Sequence, residues 1–353
     1  MESTMRTASD PHPTLTEIVL PRITEPDGLL VRHRPVPAPG PGEALVEVLA
    51  TGISFAEQAM LRGRYPGQPK FPFVPGYDMV GHVTAAGPGS GHHLTGRRVA
   101  AAVKTGGWTT HALVDARDLI PVPDHLDPAE VETVVVNGIT AWQMLHRKAR
   151  VQPGQTVLIH GASGGVGTTL VQLACHAGVN VIGTASSRHH DALRALGAEP
   201  VDYHDPDLTR TVRGLAPGGV NAVFDHLGPS SFRRSFDLLA PDGTLVAYGT
   251  GAAAQLSDTN NQVLAFTKLL GQLALWSSTS NRRALFYNFW AGKHTRPGRT
   301  REHRAADLTD VVALLADGTI TAQIAARFPL ADAAGAMKFA KTQSVRGKVI
   351  LEP

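Results

Sequence analysis

The sequence predicts an α/β protein of two units, a small β-barrel-type unit and a doubly wound parallel sheet. Two patterns and one turn predict it. From Glu17 to about Pro123, short strands are punctuated by Gly and Pro, as in a small all-β unit. After about residue 126, strand and helix patterns alternate, which calls for parallel strands joined by crossover helices. Between the first such strand and its helix lies Gly161-Ala162-Ser163-Gly164-Gly165-Val166-Gly167.

The elements follow in order. Residues 1–15 read as a loose tail. Ala44–Ala50 alternates apolar and acidic positions, as a half-buried strand does. Met79–Ala85 and Arg97–Val103 are further strands. Asp127 is a candidate N-cap, with Pro128 at the first helical position and Glu130 in the first turn. Thr156–His160 is a strand, and Gly167–Ala177 a helix. Val179–Thr184, Ala222–Asp225 and Thr244–Tyr248 are strands, with a helix over Asp191–Leu196. The stretch from Gln255 to Arg304 is less regular. A helix over Arg304–Asp317, a strand at Ile324–Phe328, a short helix over Ala331–Thr342 and a strand at Gly347–Leu351 complete the chain.

The glycine-rich turn carries the chemistry. Ala162-x-Gly164-x-x-Gly167 sits after an apolar strand and opens an apolar helix, the context of a dinucleotide-binding loop. Backbone peptides must approach a pyrophosphate closely there, and the helix directs its free N–H groups at the anion. NAD sites place an acid about 20 residues further on, for the ribose 2′-hydroxyl. Thr184-Ala185-Ser186-Ser187-Arg188 holds none. Hydroxyls and a guanidinium suit a 2′-phosphate, so the expected cofactor is NADPH.

Composition narrows the rest. With 353 residues the chain is long enough for about two domains. A net charge of +3 and the basic stretch Lys293–Arg304, read as an exposed loop, make no nucleic-acid face. The single cysteine, Cys175, reads as a buried thiol and excludes an internal disulfide. The first fifteen residues hold no apolar signal-like segment, and the apolar run Val263–Trp276 is too short and interrupted to span a bilayer. The expectation is a cytoplasmic protein without a transmembrane segment. Phe266, Leu269, Leu270, Leu273 and Trp276 in that run line a larger pocket, a dimer contact or an ordinary buried helix.

These features resemble the medium-chain dehydrogenase/reductase superfamily, in its zinc-free quinone oxidoreductase branch. The resemblance rests on Phe55-Ala56-Glu57 through Tyr65-Pro66, on Pro75-Gly76-Tyr77-Asp78 and on Asn137-Gly138-Ile139-Thr140-Ala141-Trp142. It continues in His160–Gly167, Leu196-Gly197-Ala198, Phe328–Ala334 and Arg346–Leu351. It implies a GroES-like catalytic domain over 16–125 and 300–353, and a Rossmann cofactor domain over 126–299. Thr140 would contact the nicotinamide, and Ser163, Gly164, Gly165, Val166 and Gly167 would hold the pyrophosphate. Ser186, Arg188 and Tyr203 would surround the 2′-phosphate, Tyr203 being equally readable as a packed turn residue. Tyr248 and Gly249 would flank the cofactor. A homodimer is implied as well.

No metal site is expected. Where zinc-bearing relatives carry Cys and Gly-His-Glu, this chain has Ser54 and Gly76-Tyr77-Asp78, and zinc prefers Cys, His and carboxylate. The paired histidines His92-His93 and His189-His190 read as surface residues. A zinc-free NADPH site favours hydride transfer to an electron-poor carbon of an enone, quinone or enoyl ester. The oxygen that gains charge needs hydrogen-bond donors. Tyr65 is the first candidate donor, with Ser54 and Tyr77 behind it; Tyr65 is equally readable as an aromatic packed beside Pro66. Ser54, Ala59 and Leu61 depart from the branch's residues on the substrate side. Two alternatives therefore stay open: a specialised biosynthetic enoyl reductase or reductive cyclase, and a non-catalytic NADPH-binding protein.

Overall fold

The computed structural model describes residues 13–89, 91–249, 262–342 and 345–353. Residues 1–12 of the expected tail lie outside the described residues. Thr14 and Leu15 do not behave as tail: they open a strand, β1 (Thr14–Val19), and Leu15 is fully buried. β1 pairs antiparallel with β2 (Leu30–Pro35).

A seven-stranded sheet follows. It is built from β3 (Glu43–Ile53), β4 (Asp78–Ala86), β5 (Arg98–Ala102), β6 (His111–Asp115) and β7 (Ile120–Pro121). The last two strands of the chain, Ile324–Pro329 and Lys348–Glu352, return to its edge beside β3. β3 is long and bulged, with register shifts at Leu45/Val46 and Val48/Ala50 against β4. Its first half pairs with β6 and its last three residues with Lys348–Glu352. Bulges bend a strand in this way and let one strand serve two neighbours.

The second sheet has six strands, all parallel. In chain order they are β8 (Thr156–His160), β9 (Asn180–Ala185), β10 (Ala198–Asp202), β11 (Val220–Asp225), β12 (Leu239–Tyr248) and β13 (Arg283–Tyr287). Their spatial order is β10-β9-β8-β11-β12-β13. The order reverses between β8 and β11, which makes a switch point at the C-terminal ends of those strands. The strands are buried on both faces, hence their nearly continuous apolar runs. Val157 and Ile159 enter one core with Leu170 and Leu173 of the helix Gly165–His176. Leu158 enters the other, with Phe232, Phe236, Leu269, Leu273 and Trp276. In the Val263–Trp276 run the structure shows a helix, Gln262–Ser278, that covers the sheet with Leu269, Leu273 and Trp276, while Leu264, Leu270 and Leu275 face out.

β10 and β13 were not expected as strands. Both lie at sheet edges, and β10 contains Pro200, which an edge tolerates and a central strand does not. We number the two final strands β14 (Ile324–Pro329) and β15 (Lys348–Glu352).

The basic stretch is an exposed loop only in its first half, where 294–296 form an exposed turn. Its second half forms the start of the helix Pro297–Ala316, with Pro297 in the first turn. Arg301 bonds Asp118 at 2.6 Å and Asp115 at 3.2 Å, and Arg304 is buried. Two smaller readings also change. His189 is buried where a surface residue was expected, and Cys175 is only partly buried.

Candidate active site

β8 delivers the chain into Gly161, which has φ +65°. A Cβ there would collide with the His226 ring, and one on Gly167 would collide with the Gly161 carbonyl. These two glycines let the turn form and let the helix pack against it. The helix Gly165–His176 starts after Gly164 with no side chain capping it. Its first amides are thus open to an anion. Residues 163–166 are half-buried and reachable. The loop fits the pyrophosphate of a dinucleotide.

A hydrogen-bond chain underlies the loop. Gly161 N donates to Thr184 Oγ1 at 3.3 Å, and that hydroxyl is 3.1 Å from His160 Nδ1. His160 Nε2 is 3.2 Å from Ser235 Oγ, which donates to Asp225 Oδ2 at 2.6 Å. Every proton has a place if His160 is neutral with its hydrogen on Nε2. Burial holds its pKa below the ordinary value, against the pull of Asp225.

At the ends of β9 and β10, Arg188 Nε donates to Ser186 Oγ at 3.2 Å, and Tyr203 N bonds the Ala185 carbonyl at 3.2 Å. The structure thus brings Ser186, Arg188 and Tyr203 to one rim. Tyr203 is 42% exposed, which favours an accessible ring over a packed turn residue. Arg188 is exposed and has no carboxylate partner among the described residues. Tyr248 ends β12 with its ring 5.7 Å from the His226 ring, and Gly249 follows with φ +77°.

The helix Val136–Trp142 lies beside the loop. A Cβ on Gly165 would meet Asn137 Nδ2 at 2.6 Å. Thr140 is one turn further along the same helix.

In the seven-stranded sheet's unit, Tyr65 and Tyr77 meet edge to face, with hydroxyls 2.7 Å apart. Trp290 Nε1 also donates to the Tyr77 hydroxyl. Tyr65 donates this bond, and Tyr77 accepts from both Tyr65 and Trp290, so the proton left free to donate is that of Tyr77. Burial pushes both phenol pKa values up, that of Tyr77 strongly, so both stay neutral. Ser54 departs from expectation. It caps the helix Phe55–Leu61, accepting from Ala56 N at 3.0 Å and donating to Glu57 Oε2 at 2.6 Å. Its hydroxyl proton is taken.

The two sheets are tied together next to the loop. Gly347 N donates to the Ser163 carbonyl at 3.0 Å. Gly347 has φ +86°, and a Cβ would collide with the Gln323 carbonyl. The next residue, Lys348, is buried and bonds Asp78 Oδ2 and Glu132 Oε1, each at 2.7 Å. Asp78 Oδ2 also accepts from Val136 N at 3.1 Å. Burial and the Asp78 charge push the Glu132 pKa well up. Burial alone would lower that of Lys348, but the two carboxylates outweigh it.

Comparison with known proteins bears on this geometry. Residues 40–124 match the alcohol dehydrogenase GroES-like domain model, and residues 196–351 the zinc-binding dehydrogenase model. The chain is 32% identical to a synaptic vesicle membrane protein VAT-1 homolog of Mus musculus, over 97% of this chain and 84% of that one. It is 30% identical to a 2-haloacrylate reductase of Burkholderia sp, over 93% and 96%. A solved structure of mycobacterial Rv1454c complexed with NADPH is 29% identical, with a TM-score of 0.80 over 96% and 100%.

The chain belongs to the medium-chain dehydrogenase/reductase superfamily, in its quinone oxidoreductase-like branch. The model named for zinc matches residues 196–351, while the positions expected to correspond to zinc ligands, Ser54, Tyr77 and Asp78, lie in the GroES-like segment and are engaged elsewhere. The Ser54 hydroxyl is spent on a helix cap, the Tyr77 oxygen on Tyr65 and Trp290, and Asp78 on Lys348. Among the described residues no group of three or more His, Cys, Asp or Glu gathers as a metal cluster. Sequence reasoning missed His226, Trp290 and the His160 chain. His226 directly follows β11 at the switch point, which was a usable signal.

The pH dependence of stability follows from His160. Its folded pKa lies below the unfolded value of about 6.5. The stability tied to neutral His160 is present above that value and is lost as pH falls below it, by up to about 1.4 kcal/mol per pH unit. Thermal unfolding between pH 7.5 and 5.5 checks this. His160→Gln is expected to give a shallower slope than wild type, and equal slopes would contradict the assignment.

Proposed function

We propose that the chain is a zinc-independent, NADPH-dependent reductase acting on an activated C=C bond or a quinone. The observation that carries this reading is the neutral Tyr65–Tyr77 pair, of which Tyr77 stands at a position corresponding to a ligand of the superfamily's zinc-bearing members. NADPH, when bound, supplies the hydride. The open amides after Gly164 would hold its pyrophosphate. Ser186, Arg188 and Tyr203 would hold the 2′-phosphate, and Thr140, Tyr248 and Gly249 would flank it.

The protein's part is orientation and charge stabilisation. As the substrate's double bond accepts hydride, negative charge grows on its carbonyl or quinone oxygen. The proton left free on Tyr77 would bond that oxygen, with Trp290 holding the phenol's orientation. A phenol kept neutral by burial donates without a metal. The names of the relatives support the reading: one is a 2-haloacrylate reductase, and another structure is complexed with NADPH.

The same proposal includes a homodimer and a cytoplasmic location. β13 is an edge strand open to a partner, and among the described residues no helix is long and apolar enough to cross a membrane.

NADPH oxidation at 340 nm with quinones, enones and enoyl thioesters tests the function. Consumption with at least one class is expected; NADPH binding without consumption by any would overturn the reading. Tyr77→Phe is expected to lower kcat by about 100-fold, the lower end for a general acid, with NADPH affinity nearly unchanged. An unaltered rate removes Tyr77 from the mechanism. Arg188→Ala should weaken NADPH binding by about tenfold, at the ~1.5–3 kcal/mol of a charged hydrogen bond, and leave NADH binding alone. An equal loss for both cofactors would mean that Arg188 does not read the 2′-phosphate.

A further inference from the structure

The helix Val136–Trp142 widens into a π-helical stretch, Gln143–Ala149, closed by Arg150 at φ +57°. Such widened turns are rare and concentrate at functional sites. Facing this one is the first part of the helix Pro297–Ala316, with the end of β13 and Phe289 between them. Together they line an open cleft of about 490 Å³, a size suited to a small molecule.

The lining is one-sided in charge. It carries Arg147, Lys148, Arg150, Arg299 and Arg304, two histidines, and no carboxylate. Of these five cations, only Arg147 has an ion-pair partner among the described residues, the buried Asp307. Asp307 also accepts from Gln143 Nε2 at 2.7 Å, so it is already engaged.

Arg304 decides what the cleft is for. It is only 8% exposed. Its guanidinium carbon lies 4.4 Å from the Phe289 ring centroid and 4.7 Å from that of Trp290. It donates one bond, to the Phe289 carbonyl at 2.8 Å. No carboxylate lies within ion-pair distance of it among the described residues. The Asp118 carboxylate acts on it from beyond ion-pair distance and is already held by Arg301, and a buried cation so weakly answered gains from an anion that shares it.

We propose that this cleft binds a phosphate-bearing small molecule, with Arg304 as its buried anchor. Guanidinium forks match phosphate oxygens in pairs, and four unpaired cations call for more than one negative charge. None of the glycine-loop residues lines the cleft, so the site is separate from the expected pyrophosphate site. Trp290 touches both Arg304 and Tyr77, which puts the cleft behind the aromatic wall of the tyrosine pair. The phosphate is either a free ligand or a group carried by the substrate.

Calorimetric titration of inorganic pyrophosphate into NADPH-saturated protein tests the site, because saturating NADPH fills the glycine loop first. One saturable event is expected, weakened at least tenfold in Arg299→Glu and in Arg304→Met. Arg299 is exposed, so its replacement decides the matter if Arg304→Met fails to fold. No saturable binding in wild type, or equal binding in Arg299→Glu, overturns the proposal. The readout needs no turnover, so it stands apart from the reductase reading. The source of the phosphate comes from KM values in Arg299→Glu. A rise for a phosphate-bearing enoyl thioester but not for an uncharged enone assigns the phosphate to the substrate. No change for either substrate, with pyrophosphate binding lost, supports a free ligand.

Discussion

A buried ammonium pins the seven-stranded sheet to the helix Pro128–Val134 beside it. Lys348 at the start of β15 reaches Asp78 of β4 and Glu132 of the helix Pro128–Val134. Removing three ionisable groups from water is expensive, and the arrangement is tolerable only because each charge is answered. The upward shift of Glu132 fits one lysine facing one carboxylate and one carboxylic acid. The neighbours of this cluster are the working parts. Gly347, before Lys348, bonds the glycine loop, and Tyr77, before Asp78, bonds Tyr65. Asp78 also holds Val136 N, at the start of the helix that carries Asn137 and Thr140.

On the proposed function, this placement would let the scaffold work without a metal. Tyr77 and Asp78 occupy the turn corresponding to the His and Glu of zinc-bearing members. The Asp78 carboxylate is engaged by Lys348. The buried, neutral phenol would offer a hydrogen-bond donor where a metal would offer a Lewis acid. The glycine loop is held independently, from below, by Thr184, His160, Ser235 and Asp225.

Legibility in the sequence followed range. The glycine loop, the Asp127 cap and the central strands could be read locally, because spacing and residue type decide them. Asp127 accepts from Ala129 N at 2.9 Å as a cap should. β10 escaped notice because Pro200 argues against a strand, and only an edge position permits it. Ser54 was misread because Glu57, three residues on, claims its proton. Lys348 looked like one residue of a family ending, and its partner Asp78 is 270 positions away. Arg304 looked like part of an exposed basic run, since nothing nearby in sequence announces the rings of Phe289 and Trp290 that bury it.

The account turns on the coupling of Lys348 to β4 and to the helix Pro128–Val134, and one variant measures it. Lys348→Met keeps a long apolar side chain and removes the charge, leaving buried carboxylates unanswered. Thermal or chemical unfolding of this variant should show a loss of about 3–5 kcal/mol, the cost of breaking a buried pair from one side. NADPH should bind more weakly in the folded fraction, because Ser163 loses a firmly placed partner at Gly347. Wild-type stability together with wild-type NADPH affinity would contradict the claim that this ion cluster positions the site.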